Sequence, residues 1–185
     1  MKKLLAKCFF FIFGWKLNVS DTKPLVPSVM IAAPHTTNWD FPYALAAFWL
    51  MGIPVKYFIK DTYTRNPLGF FFKWSGAIGV NRKQAGGGLT KLAIELLETN
   101  KNLVILVPAE GTRKRVDKWK TGFYRIALAT KVPIALGYLD YEKKEAGVMG
   151  AFMPSGHFEN DMTYIQNRYA QIQPKYPDLY NKEIF

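Results

Sequence analysis

Val29-Met30-Ile31-Ala32-Ala33-Pro34-His35-Thr36-Thr37-Asn38-Trp39-Asp40 is the stretch on which the fold turns. Its first five residues form an unbroken apolar run, the pattern of a buried strand. The six residues from His35 to Asp40 follow, and an amphipathic helical pattern comes after them. A histidine at the end of a buried strand, with a carboxylate where a helix begins, suits a general base held by an orienting acid. A second run, Glu110-Gly111-Thr112-Arg113, also follows an apolar stretch, Leu103-Val104-Ile105-Leu106-Val107. Candidate base and candidate anion clamp thus both follow strands. Ligand sites in open α/β sheets lie at the carboxyl ends of strands.

Outward from these two runs the periodicity alternates. From Asp40 to Met51, Phe41, Ala44, Leu45 and Phe48 share one helical face, and Gly52 and Pro54 end it. Residues 55–59 read as a strand. Asn66-Pro67 is a turn into a short helix through Phe70-Phe71-Phe72. Residues 76–80 read as a strand, and 85–88 as a glycine-rich loop before a helix over 89–97. Residues 103–107 form the next strand, 122–130 a helix, 133–139 a strand, 148–153 a further strand and 161–172 a last helix. Strands alternating with helices predict a single α/β domain with a mostly parallel sheet flanked by helices. Residues 18–173 hold this domain, and the polar segment 174–185 is expected to be a loose tail.

Composition narrows the class. The 185 residues suffice for one sizeable core. Lys and Arg number 25 against 14 Asp and Glu, a net charge of +11, which favours an anionic partner: nucleic acid, an acidic carrier protein or an anionic membrane. The aromatic content suits a membrane interface, where Trp and Tyr settle at headgroup depth. Cys8 is the single cysteine, so no disulfide can form within the chain, and a reducing, cytosolic setting is expected. No Cys and His pair has metal-site spacing.

The N-terminal segment, residues 1–17, opens with Lys2-Lys3 and continues in a largely apolar run to Trp15. Lys16-Leu17-Asn18 does not offer a small-x-small cleavage site. Lys7 interrupts the run, which is shorter than the about 20 residues that a span requires. The segment therefore predicts a helix lying in the membrane interface, with Phe9, Phe10, Phe11 and Phe13 dipping into acyl chains. Packing of the same helix on the domain is the alternative.

Four motifs in order resemble those of the glycerolipid acyltransferases, specifically the 1-acylglycerol-3-phosphate (lysophospholipid) acyltransferase family. The first is His35 with Asp40. The second is Lys60-x-x-Tyr63 with Asn66-Pro67-Leu68-Gly69, continuing to Gly76-x-Ile78-x-Val80-x-Arg82. Glu110-Gly111-Thr112-Arg113 is the third, and Val132-Pro133-Ile134 the fourth. Lys120-Thr121-Gly122 resembles the Lys-x-Gly that follows the third motif. Ala109 stands where the family usually has Pro, and Lys114 where Ser is common.

The resemblance implies transfer of a fatty acyl group from acyl-CoA or acyl-carrier protein to a lysophospholipid hydroxyl, at the cytoplasmic face of the membrane. No metal or bound cofactor is expected beyond that co-substrate. A hydroxyl is too weak an acid to ionise at neutral pH, so a positioned base must take its proton. His35 suits that task, with Asp40 fixing its tautomer as in the His–Asp half of a serine-protease triad. The acceptor supplies the hydroxyl, in keeping with the lack of a Gly-x-Ser-x-Gly elbow. Arg113 and Arg82 resemble the family's phosphate contacts, and an Arg fork matches phosphate oxygens. Glu110 would orient Arg113 or bond a glycerol hydroxyl, and Gly111 would let backbone N–H groups approach the ligand. Thr112, Lys60 and Lys120 complete the substrate-binding candidates. Lys114, Arg115 and Lys118 read as a solvated basic loop or headgroup contacts. Phe70, Phe71, Phe72 and Trp74 would line an acyl tunnel or pack in the core. A phosphate-free lyso-aminolipid is the alternative acceptor. A non-catalytic basic binding protein is the reading from another class, and the sequence carries no nucleic-acid-binding motif.

Overall fold

The computed structural model describes residues 1–19, 25–81 and 88–185. Along these the chain runs α1 (Lys2–Phe13), β1 (Lys16–Val19), β2 (Ser28–Ala32), α2 (Asp40–Met51), β3 (Val55–Lys60), α3 (Asp61–Arg65), α4 (Gly69–Ser75) and β4 (Ala77–Val80). Then come α5 (Gly88–Thr99), β5 (Val104–Val107), α6 (Gly122–Thr130), β6 (Ile134–Asp140), β7 (Glu145–Phe152), α7 (Phe158–Tyr169) and a 3₁₀ turn at Pro177–Leu179. The strands join in one sheet of order β1-β7-β6-β2-β5-β3-β4. The fold is thus a single α/β domain with a mostly parallel sheet flanked by helices, as the alternating periodicity predicts.

The apolar run that precedes His35 becomes β2, the middle strand, with β6 on one side and β5 on the other. Its residues divide by parity, because side chains of a strand alternate between faces. Val29 and Ile31 join a core built with α5, α6 and α7, through Leu97, Phe123, Ile165 and Tyr169 among others. Met30 joins Phe48 of α2 on the opposite face. A strand covered on both sides has no polar face to show, which is why it reads as continuous apolar sequence.

Beyond β6 the pairing changes. β7 runs antiparallel to β6, while the other neighbouring pairs are parallel. The short turn over residues 141–144 suffices to reverse the chain, whereas a parallel return would need a crossover. The Asp140 Oδ1 secures that turn by accepting the N–H groups of Glu142 (3.1 Å) and Lys143 (3.0 Å). The edge strand β1 has no counterpart in the sequence reading, since its four residues are polar enough to escape a periodicity test. It pairs with β7, and Asn18 faces Gly147. A Cβ at Gly147 would lie 1.6 Å from the Asn18 carbonyl oxygen, so only glycine admits this approach.

Two ends of the chain depart from expectation. Helix α1 packs on the domain along one face: Ala6 and Phe10 are buried with Trp15, Tyr43 and Ala47. Phe10 is therefore a core residue and not an acyl-chain contact, and burying such a side chain is worth about 1.5–3 kcal/mol. Leu4, Leu5, Phe11 and Ile12 of the same helix remain exposed, Phe11 at 89%. Among the described residues no helix is long and apolar enough to cross a membrane. The segment 174–185 is not a loose tail. Tyr180 and Ile184 lie in the main core beside Trp119. The Trp119 backbone N–H donates to the Ile184 carbonyl (2.8 Å), and Arg115 Nη1 to the Tyr180 carbonyl (2.8 Å). Two apolar side chains among polar neighbours are enough to dock a segment whose average composition is hydrophilic.

Candidate active site

Three loops leave the carboxyl ends of the central strands β2, β5 and β6, and they meet around His35. The sheet order makes this position a switch point, because β5 flanks β2 on one side and β6 on the other. His35 Nδ1 lies 2.9 Å from Asp40 Oδ2. The same carboxylate oxygen accepts the backbone N–H of Thr36 (3.0 Å) and of Thr37 (3.1 Å). The other oxygen, Oδ1, accepts the hydroxyl of Tyr141 (2.7 Å). Asp40 is the first residue of α2, where the partial positive charge of the helix start favours a carboxylate. It is 5% exposed, and its four donors replace the water that burial removes.

The motif spacing has a local cause. Pro34 follows the end of β2, and the chain then turns back through Thr36, Thr37 and Asn38 so that the Asp40 N–H reaches the Thr37 carbonyl (3.4 Å). Four intervening residues are what this turn needs to bring a side chain at its end against the imidazole at its beginning. With Nδ1 committed to Asp40, Nε2 is the nitrogen that the pair leaves free to work. The His35 side chain is 22% exposed, so the ring is reachable from outside while its partner is sealed.

Glu110 closes the site from β5. Its Oε2 accepts the His35 backbone N–H (2.7 Å), and the residue is 3% exposed. The sequence reading directs Glu110 to Arg113 or to a glycerol hydroxyl. The geometry gives it the main chain of His35 instead. Burial pushes its pKa from 4.5 up to about 8; the donated His35 N–H opposes the rise and the Asp40 charge adds to it. The rise favours the protonated form of Glu110 and so lessens the negative charge beside the imidazole. Oε1 is buried with no hydrogen-bond partner.

The remaining candidates spread outward. Gly111 adopts a left-handed φ of +69° and turns the chain away from Glu110. A Cβ there would lie 2.8 Å from Cδ of Lys120, so Gly111 and Lys120 are neighbours. Thr112 is half-buried and its hydroxyl accepts the Lys114 N–H (3.3 Å), a turn-forming contact. Arg113 and Lys120 are exposed, as is Lys60 at the end of β3. Arg82 and the glycine-rich stretch before Gly88 lie outside the described residues. Of the aromatic tunnel candidates, Phe70 is exposed, and Phe72 packs 6.1 Å from Phe41. A small, open apolar pocket lies instead between α2, β3 and β5, lined by Phe41, Ala44, Leu45, Phe48, Tyr57 and Leu106. It begins one residue after Asp40.

Sequence reasoning missed Tyr141. Burial, then donation to Asp40, holds its hydroxyl well above the ordinary tyrosine value, so it stays protonated. Its one legible signal is its position just past the carboxyl end of β6. The C-terminal segment also reaches the site: the Tyr176 N–H approaches Thr36 Oγ1 (3.4 Å), and Lys175 lies 5.5 Å from the Trp39 ring centre. Among the described residues no group of three or more His, Cys, Asp or Glu could hold a metal ion.

Residues 16–135 match the family model described as Acyltransferase. The matched span takes in all four motifs and leaves α1 outside. No curated protein matches the chain.

Proposed function

This chain belongs to the acyltransferase family, and from that premise we propose that it moves a fatty acyl group from acyl-CoA or acyl-carrier protein to the hydroxyl of a lysophospholipid such as 1-acylglycerol-3-phosphate. The observation that carries the reading is the His35 Nδ1 to Asp40 Oδ2 contact of 2.9 Å at the carboxyl end of the central strand. Nε2 takes the acceptor's proton as its oxygen attacks the thioester carbonyl. Asp40 stabilises the imidazolium that forms, and the proton passes to the departing thiolate as the tetrahedral intermediate collapses. Atoms balance without a protein nucleophile: one ester and one thiol replace one alcohol and one thioester.

Arg113 and Lys120 suit the acceptor phosphate, since exposed cations just beyond the base can meet an anion without first breaking a buried pair. Arg82 joins them on the strength of its motif. The apolar pocket beside Phe41 suits the start of an acyl chain, and its lining offers no polar group that a methylene would leave unsatisfied. The exposed side chains of α1, with Lys3 and Lys7 among them, suit the cytoplasmic face of an anionic bilayer. Acceptor and product both reside in such a layer.

The decisive assay is purified protein with labelled acyl-CoA and acyl-carrier protein against a panel of lyso-lipids. Ester formation on phosphate-bearing acceptors supports the reading. Transfer only to a lyso-aminolipid moves the acceptor assignment, and absence of transfer from every donor removes the reading.

A further inference from the structure

We infer that Tyr141 is a positioning residue for Asp40, and that Trp15, at the foot of α1, holds Tyr141 in place; this rests on the base reading of His35. A carboxylate rotates easily about its last bond, whose torsional preference is broad. Three donors converge on Asp40 Oδ2: His35 Nδ1, Thr36 N–H and Thr37 N–H. They leave the second oxygen undetermined. Tyr141 supplies the fourth donor to that oxygen, Oδ1, at 2.7 Å, and so sets the plane of the carboxylate toward the imidazole. A second effect follows from the same bond. The hydroxyl draws charge toward Oδ1 and tempers the pull that Oδ2 exerts on the His35 ring.

The tyrosine is itself held on three sides. Its backbone N–H donates to the Gln173 carbonyl (2.9 Å), which ties it to the C-terminal segment. Its ring stands edge-on to Trp15 (5.0 Å, 87°) and to Tyr43 of α2 (5.9 Å, 86°). Trp15 stacks on Tyr43 at 4.0 Å, and its backbone N–H donates to the Phe10 carbonyl (2.8 Å). Edge-to-face pairs are favoured by the charge distribution of the rings, which helps hold the Tyr141 ring in one orientation. The buried face of α1 is thereby continuous with the Asp40 carboxylate through Phe10, Trp15 and Tyr141. Trp15 and Phe10 supply packing, and Tyr141 supplies the hydrogen bond.

Full-length Tyr141→Phe keeps the ring and removes only the donor. With a fatty acyl-CoA and 1-acylglycerol-3-phosphate, its single-turnover rate falls about 10–100-fold, the worth of one charge-assisted hydrogen bond. KM for both substrates stays within about twofold on this reading, and the His35 Nδ1 proton resonance shifts. A wild-type rate with an unmoved resonance would overturn the inference, and so would a loss of melting temperature with no separation of rate from KM. Trp15→Leu gives a second route if Tyr141→Phe does not fold: the rate falls a smaller, severalfold amount with KM held, and an unchanged rate would overturn the inference. His35→Ala runs beside them. Were that variant active, the base reading itself would fail. With it inactive, an unaffected Tyr141→Phe rejects only the positioning role of Tyr141.

Discussion

The loops after β2 and β5 leave the same end of the sheet from adjacent strands, yet they are built in opposite ways. In the first, the polar atoms of Asp40 are paired and the residue is sealed, with only the far side of His35 reachable. In the second, Glu110 turns inward to the His35 main chain, and past Gly111 the cations Arg113 and Lys120 lie open. Proton transfer needs a fixed angle between two groups, so it uses buried hydrogen bonds that survive thermal motion. Capturing an anion needs charge that is free when the ligand arrives, so it uses exposed side chains. On the proposed function, the contrast separates catalysis from binding in one crevice.

The largest expected effect tests the closed loop. His35→Ala should lower turnover about 10²–10⁴-fold with the fold intact by circular dichroism, because it removes the base. Retention of wild-type turnover would break the contrast at its root. Arg113→Ala tests the open loop. Loss of one charge-assisted contact is worth about 1.5–3 kcal/mol, or roughly 10–150-fold in KM, and it should fall on the phosphate acceptor and spare the acyl donor. An equal rise in both KM values would give the loop a structural role instead.

A smaller effect bears on which way the open side faces. Leu4→Ser with Phe11→Ser removes two exposed apolar side chains from α1 and should reduce flotation with anionic vesicles severalfold to tenfold, with the melting temperature held. Unchanged flotation would detach α1 from the bilayer. Phe10→Ser is the informative control, since Phe10 lies in the core and its loss should lower stability first.

The last effect is on stability and not on rate, and it concerns the residue that joins the two loops. Glu110 has a folded-state pKa of about 8 against an ordinary 4.5. Between these values the folded chain holds a proton that the unfolded chain has released, so stability falls as pH rises. The contribution is complete below about 4.5 and lost above about 8. Glu110→Gln keeps an oxygen for the His35 N–H and cannot ionise. Melting curves across this range should therefore lose part of their downward slope in the variant, and parallel slopes would mean that Glu110 is not the group responsible.

Much of the fold and half of the site are legible in the chain itself. Residues 29–33 announce a strand covered on both faces, and the interval from His35 to Asp40 already has the length of the turn that brings them together. Strand-helix alternation from Asp40 to Thr130 implies a parallel sheet, because each element's apolar period is local and each connection is long enough for a crossover. Legibility fails where partners are far apart in sequence. Tyr141 lies 101 positions from Asp40, and nothing in its neighbourhood marks it as a hydrogen-bond donor to that carboxylate. Glu110 stands out in the sequence but its partner does not, since a main-chain N–H leaves no trace there.

The two chain ends show the same limit in average composition. Residues 4–15 are largely apolar, but one face of α1 is spent on the core and the other is left outside. Residues 174–185 are polar, but Tyr180 and Ile184 dock against Trp119. Sequence by itself determined most of the element types, the burial of the strand before His35 and the pairing of His35 with Asp40, because those depend on spacing along the chain. Only the tertiary structure decided which carboxyl meets the His35 main chain, which tyrosine completes Asp40 and which face of α1 is free. Those depend on distances between segments that the chain brings together only by folding.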